Sequence, residues 1–175
     1  MVKALSSVTL DSLVLGGSIS ETDACMLKGA LKCKENIFIS GASCSGKSTL
    51  LQAMMEELNT TKPVMIMEKR PNVALAGVNI GYITPEEEHR LEENINFLDY
   101  IVTDTDELLP KRIVQKANTG RDIGLVATVY ASDLMEAVNK LVKLRLPYYL
   151  IVHIDKGYRG EKRVRVYRSS FLVVN

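Results

Sequence analysis

The sequence predicts an α/β domain built on a mostly parallel sheet. Three observations carry this. Short, near-continuous apolar runs of strand length recur along the chain, as strands covered on both faces require. Segments with helical spacing of apolar residues lie between them, in the alternation that marks α/β architecture. One apolar run opens directly into a glycine-rich turn followed by a helical segment.

The elements follow in order. Val8–Leu15 is a weak helix closing at Gly16-Gly17. Ser20 with Asp23 resembles a capping box and opens a helix to about Cys33. Asn36–Ser40 is the first buried strand. Beyond the glycine-rich turn, Leu50, Leu51, Met54, Met55 and Leu58 fall at helical spacing and read as core. Val64–Met67 is the second buried strand, and Val73–Ile83 reads as one or two short strands interrupted by glycine. Thr84-Pro85-Glu86-Glu87 has a cap, a proline for the first turn and two acids, a helix start. Tyr100–Thr103 is a third buried strand, Leu109–Ala117 a helix stopped by Asn118-Thr119-Gly120, and Gly124–Tyr130 a fourth buried strand. Ser132 is expected to cap a helix over Asp133–Leu144. Tyr148–Ile154 and Arg163–Val174 read as an antiparallel pair around Gly157–Gly160.

Composition narrows the function classes. The 175 residues are 46% hydrophobic and 25% charged, enough for one globular domain with a sizeable core. A net charge of +1 provides no bulk field for nucleic acid or membrane. There is no run of about 18 apolar residues to span a bilayer, and the first five residues lack the apolar core of a secretory leader. The three cysteines are odd in number and in no metal spacing, which suggests a reducing, cytoplasmic location. Cys25 and Cys33, on one expected helix, read as core residues. His89 lies in a charged segment and reads as solvent-facing; His153 lies among apolar strand residues and reads as a hydrogen-bonded structural histidine.

Gly41-Ala42-Ser43-Cys44-Ser45-Gly46-Lys47-Ser48 matches G-x-x-x-x-G-K-[ST] in full. A polyphosphate needs many donors at once. A loop of small residues can turn its N–H groups inward, with Gly41 and Gly46 supplying unusual dihedrals. The helix that follows adds its positive end. Lys47 is expected to reach the β- and γ-phosphates, Ser48 to supply a Mg²⁺ ligand, and Thr49 to complete the cradle. Cys44 reads as a small tolerated side chain. The motif implies ATP or a close relative as ligand, with Mg²⁺; together with the strand–helix alternation and the family resemblance given below, the domain reads as a RecA-like P-loop fold. One domain is expected over 1–175: a helical lead-in at 1–35, a nucleotide-binding core at 36–147 and a C-terminal β-hairpin at 148–175.

Hydrolysis needs carboxylates at the end of neighbouring strands. Asp104, with Asp106 and Glu107 close by, ends the run Tyr100–Thr103 as a Walker B acid does, although acids also favour such a turn or helix start for its own sake. Glu68 ends Val64–Met67, at the same sheet edge as the glycine-rich turn if the strands are parallel; its alternative is a surface charge paired with Lys69 or Arg70.

Four stretches resemble the ring-forming ATPases of type II and type IV secretion and type IV pilus machines, nearest the tight-adherence (Flp) pilus branch. They are Leu10–Ser20 before the P-loop, Asn36–Leu51 around it, the block Lys116–Asp122 with Ala127–Ser132, and Tyr149–Ile154 with the hairpin after it. The resemblance implies that Glu68 is the catalytic glutamate of an acidic box, that Asp99–Glu107 is Walker B, and that Thr128 and Tyr130 fall on a histidine box. It also implies a homo-oligomeric, hexameric ring, protein partners in a membrane complex at the inner face of the membrane, and an arginine acting between subunits, for which Arg70, Arg90 and Arg121 are candidates. This sequence departs from the family pattern at several points. Lys69 follows Glu68, Asp104-Thr105 stands where Gly-Glu is usual, Tyr130 replaces the histidine, Arg121 follows Asn-Thr-Gly, and the family's N-terminal domain is not expected in this chain. The reading is a Mg²⁺-dependent ATPase domain of a secretion, pilus or conjugation motor. The alternatives are a nucleotide-binding subunit with little turnover, or a nucleic-acid-handling ATPase served by the basic hairpin residues Lys156, Arg159, Lys162, Arg163, Arg165 and Arg168.

Overall fold

The computed structural model describes residues 8–58, 62–68, 80–118, 123–157 and 160–169. The chain runs α1 (Leu10–Leu15), α2 (Glu21–Lys32), β1 (Ile37–Gly41), α3 (Lys47–Met55), β2 (Val64–Glu68), β3 (Ile80–Ile83), a 3₁₀ turn (Pro85–Glu87), α4 (His89–Asn94), β4 (Tyr100–Asp104), α5 (Lys111–Asn118), β5 (Gly124–Tyr130), α6 (Leu134–Val142), β6 (Leu150–Lys156) and β7 (Lys162–Arg168).

The apolar runs pair as parallel strands, because a strand buried on both faces needs helices above and below it, and helical crossovers supply both. β1 and β2 are buried at all five positions. The seven-stranded sheet has the order β3-β2-β4-β5-β1-β6-β7, with only β7 antiparallel to its neighbour. Alternation along β1 shows how the two faces are served. Ile37 and Ile39 join Leu27, Leu50, Leu51 and Met54 of α2 and α3 in one core. Phe38 points the other way, into a second core with Leu91, Ile113, Ala137 and Leu141 of α4, α5 and α6. Tyr149 closes that second core with its ring edge-on to Phe38, centroids 5.8 Å apart.

The mostly parallel α/β sheet and the C-terminal antiparallel pair are therefore as expected, and the differences are local. α6 is capped by Asp133 rather than Ser132: the Asp133 carboxylate accepts the Glu136 N–H at 2.9 Å, while the Ser132 hydroxyl donates to the Glu136 side chain at 2.8 Å. A helical turn does start at Thr84, where Thr84 and Glu87 form a capping box, but that first turn winds as 3₁₀ before α4 begins. Cys25 and Cys33 are not core residues; all three cysteines are exposed. The buried face of α2 is Ala24, Leu27, Ala30 and Leu31. Cys25 lies one step of about 100° around the helix from Ala24, and Cys33 is already the C-cap. The segments 69–79, 119–122 and 170–175 lie outside the described residues, and with them the first part of the Val73–Ile83 expectation and the end of the Arg163–Val174 strand. Among the described residues, no helix is long and apolar enough to cross a membrane.

Leu51 sits at 0% exposure on α3, in the core that α3 shares with α2 and one face of the sheet. Leu51→Ala is expected to lower the unfolding free energy by about 2–5 kcal/mol, measured by urea denaturation.

Candidate phosphate-binding site

Parallel strands end at one edge, so Gly41, Glu68, Asp104 and Tyr130 all finish on the same side of the sheet. β7 runs the other way, and its first residue, Lys162, therefore starts at that edge beside Lys156. A crevice at the strand C-termini is where open α/β sheets bind ligands.

The loop from Gly41 to Ser48 is shaped by what its glycines permit. A Cβ on Gly41 would stand 2.5 Å from the Ser45 hydroxyl oxygen and 3.1 Å from the Ile154 carbonyl, so only glycine fits. Gly46 has φ +106° and serves as the N-cap of α3 without a side-chain hydrogen bond. The first-turn N–H groups of α3 consequently have no helical or capping acceptor and point their positive end into the crevice. Cys44 adopts φ +59°, a left-handed conformation uncommon for a residue with a side chain. The buried Ser45 hydroxyl has no hydrogen-bond partner.

Lys47 is only 5% exposed. Its ammonium donates to the carbonyls of Gly41 at 3.1 Å and Ala42 at 2.9 Å, and lies 3.2 Å from an Asp106 carboxylate oxygen. Cys44, Ser45, Gly46, Lys47, Ser48, Thr49, Asp106 and Lys162 together line a cavity of ≈ 280 Å³. A smaller apolar pocket adjoins it at Gly46 and Thr49, walled by Leu13, Leu50 and Val164.

The acids divide their tasks. Asp104 accepts a hydrogen bond from the Thr128 hydroxyl at 3.0 Å, and the same hydroxyl oxygen accepts from the Asp106 N–H at 3.3 Å. The Asp106 carbonyl accepts the Tyr130 N–H at 3.1 Å. These bonds from β5 hold Asp106 at φ +60° and direct its carboxylate toward Lys47. Sequence reasoning named Asp106 only as a neighbour of Asp104, because nothing local marks a left-handed residue two places beyond a strand end. Glu68 lies opposite Asp104 in the β2–β4 register and is 5% exposed; its alternative, an ion pair with Lys69 or Arg70, falls on residues outside the described ones. Tyr130 is exposed, with the Lys140 ammonium 5.3 Å from its ring centroid. Arg90 is exposed and bonded to Glu87 at 3.0 Å on α4. Lys69, Arg70 and Arg121 lie outside the described residues.

His89 is exposed and His153 buried, as expected. His153 Nδ1 is 2.9 Å from the Ser40 hydroxyl and Nε2 is 3.3 Å from Asp155, whose other oxygen lies 3.8 Å from Arg165. This chain of contacts ties β1, just before the loop, to β6 and β7. It is no nucleophilic triad, since Ser40 is 0% exposed and closed to any reactant. Among the described residues there is also no cluster of three His, Cys, Asp or Glu able to hold a metal by itself. A divalent ion at this site would need ligands from a phosphate and water, as Mg²⁺ characteristically takes.

No family model matches the sequence. The chain is 27% identical over 93% of its length to the probable conjugal transfer protein TrbB of Sinorhizobium fredii, of which it covers 56%. It is 25% identical over 81% of its length to the conjugal transfer protein TrbB of Rhizobium radiobacter, of which it covers 46%. It thus spans about half the length of these relatives. Among solved structures, it shares its fold with the VirB11 ATPase of the Brucella suis type IV secretion system, a sulphate complex, at TM-score 0.71 and 18% identity over 93% of this chain and 55% of that one. The Legionella pneumophila ATPase DotB follows at TM-score 0.61 and 15% identity, over 88% of this chain and 49% of that one. The pilus retraction motor PilT, with bound ADP, aligns at TM-score 0.53 and 16% identity over 80% of this chain and 49% of that one. Conjugation, secretion and pilus proteins are the kinds to which the sequence resemblance pointed.

Burial holds the folded His153 pKa below its ordinary value; Asp155 and Asp133 oppose this and Arg165 adds to it. With the folded pKa lowered, the unfolded chain binds the proton first, so this contribution to stability is present above about pH 6.5 and is lost as pH falls below it. Urea unfolding of the wild type is expected to lose stability more steeply than that of His153→Gln between about pH 7 and about pH 5.

Proposed function

We propose that this chain is the nucleotide-binding domain of a conjugation- or secretion-type motor ATPase, and that it binds and hydrolyses Mg·ATP. The observation that carries the reading is the loop itself: uncapped N–H groups of α3, Gly46 in a left-handed conformation and the Lys47 ammonium all meet at one cavity. So many convergent donors in so little space suit a small, multiply charged anion. The unpartnered Ser45 hydroxyl, and a cradle that a side chain at Gly46 would fill, fit a polyphosphate as well. Similarity to the two TrbB proteins, and a fold shared with VirB11, DotB and PilT, support a motor ATPase over other P-loop proteins.

In this reading Gly41, Ala42, Ser43, Cys44, Ser45, Gly46, Lys47, Ser48 and Thr49 cradle the phosphates. Ser48 and Asp104 would hold Mg²⁺, which when bound neutralises charge on the β- and γ-phosphate oxygens. Lys47 exchanges its loop carbonyls and Asp106 for phosphate oxygens, stabilising the charge that grows as water attacks in line. Glu68 orients that water and accepts its proton, and Asp104 is aimed by the Thr128 hydroxyl that donates to it. The working form is a homo-oligomeric ring, hexameric by resemblance, docked through protein partners to a membrane complex from the cytoplasmic side, with an arginine supplied by a neighbouring subunit.

A second reading, a nucleotide-binding subunit with little turnover, draws support from Tyr130 in the histidine-box position and from the Lys47–Asp106 pair, which any phosphate must displace. The nucleic-acid reading is disfavoured by neighbouring acids: Arg163 and Arg165 lie 3.5 and 3.8 Å from the hairpin's Glu161 and Asp155, and Arg168 lies 3.3 Å from Glu35, which precedes β1.

Calorimetry with Mg·ATP and a steady-state phosphate-release assay test this. Lys47→Ala is expected to abolish release and weaken binding by more than about tenfold. Glu68→Gln is expected to bind as the wild type does while losing about 10²–10⁴ in turnover. Tight wild-type binding with no Lys47-dependent release would establish the second reading, and no binding of any nucleotide would remove both.

A further inference from the structure

Lys162 is a basic residue that the loop motif does not include, yet it reaches the phosphate cavity. β6 and β7 form a hairpin whose turn lies at the edge of the sheet where the loop sits, and Lys162 is the first residue of the returning strand. Its ammonium nitrogen would be 3.2 Å from a Cβ built on Gly46, with its Cδ at 3.5 Å and Cε at 3.8 Å. The end of the side chain is therefore laid across the glycine at the amino end of α3.

No acid among the described residues holds the ammonium in that position. A cation at the positive end of a helix is repelled rather than attracted. The neighbouring arginines of β7 each have an acid within 4 Å. Lys47, in the same cavity, has Asp106. Among the described residues, the exposed Lys162 side chain has neither a hydrogen bond nor an ion pair. The cavity thus holds two lysines and one carboxylate, and that carboxylate lies against Lys47. The uncompensated charge is Lys162, and it stands at Gly46, whereas the Lys47 ammonium is turned to Gly41 and Ala42.

We infer that Lys162 is a second polyphosphate ligand, carried by the C-terminal hairpin, which grips the phosphate chain beside Gly46 while Lys47 serves its terminal end. This deepens the nucleotide-binding reading and rests on it. The phosphate that Lys162 meets stays on the nucleotide after hydrolysis, so the contact is one of affinity for both ADP and ATP. It also couples the hairpin to the occupancy of the loop, since the ligand bridges α3 and β7.

The test is calorimetric titration of the whole chain with Mg·ATP, Mg·ADP and inorganic pyrophosphate. Lys162→Ala and Lys162→Gln, which keeps most of the aliphatic stem, are both expected to weaken ADP and ATP by about tenfold or more. Both are expected to lower the salt dependence of binding and to leave the nucleotide-free thermal midpoint unchanged. Lys162→Arg is expected to stay within about threefold of wild type. Lys156→Ala, which removes the charge paired across the same hairpin, is the control and is expected to bind normally. Unchanged affinity in Lys162→Gln, or an equal loss in Lys156→Ala, overturns the inference while leaving the loop's role intact. A wild type that binds none of the three ligands overturns the nucleotide reading and this inference with it.

Discussion

The site depends on one constraint, the insertion of β1 between β5 and β6 in a parallel sheet. That pairing brings Gly41 level with Tyr130 on one side and Ile154 on the other. The loop can then leave the sheet only upward, over the C-terminal edge, and α3 must fold back across one face to reach its core. Leu50, Leu51 and Met54 anchor α3 there, so that its uncapped amino end stays aimed at the crevice. Without that burial the loop would be a flexible glycine-rich turn, because a helix of nine residues is too short to persist by propensity alone.

The electrostatics of the crevice follow from the same geometry. Lys47 is almost fully buried, and a buried ammonium needs partners. The loop carbonyls and Asp106 supply them. Asp106 is available only because the β4–α5 turn is bonded to β5 through Thr128 and Tyr130. The strand between the loop strand and the acidic strand thus decides which carboxylate reaches the lysine. Asp104, one residue past Thr103, is bonded to Thr128 instead. The arrangement resembles a lock in charge balance: a ligand must offer Lys47 more than Asp106 does.

Two cores on opposite faces of one sheet give the hairpin its role. Val164 packs on the side of α2 and α3, while Tyr167 packs on the other. Alternation therefore fixes the orientation of β7, and the Ser40–His153–Asp155 contacts join the hairpin to the strand that carries the loop. The C-terminal strands are part of the site's framework rather than an appendage to it.

Much of this was legible in the sequence. Continuous apolar runs marked buried parallel strands, and the spacing of small residues with Lys47 and Ser48 marked the phosphate loop, because strand burial and loop dihedrals are constraints on local residue type. Glu68 and Asp104 could be placed at the correct edge since parallel strands share their ends. Errors arose where a helix's face or cap is decided by its neighbours: Cys25 and Cys33 fall outside the buried face of α2, and Asp133 rather than Ser132 caps α6. The partners of the loop were not legible either. Asp106 reaches Lys47 through a left-handed turn held by β5, and Lys162 reaches Gly46 because an antiparallel strand happens to begin at that edge. Residue type and spacing along the chain determined the loop's shape and donors, and with them the ligand class proposed for it, since they set local backbone geometry and donor number. Which charges face that ligand was decided only in three dimensions, because electrostatic contact depends on distances between strands that lie far apart in sequence.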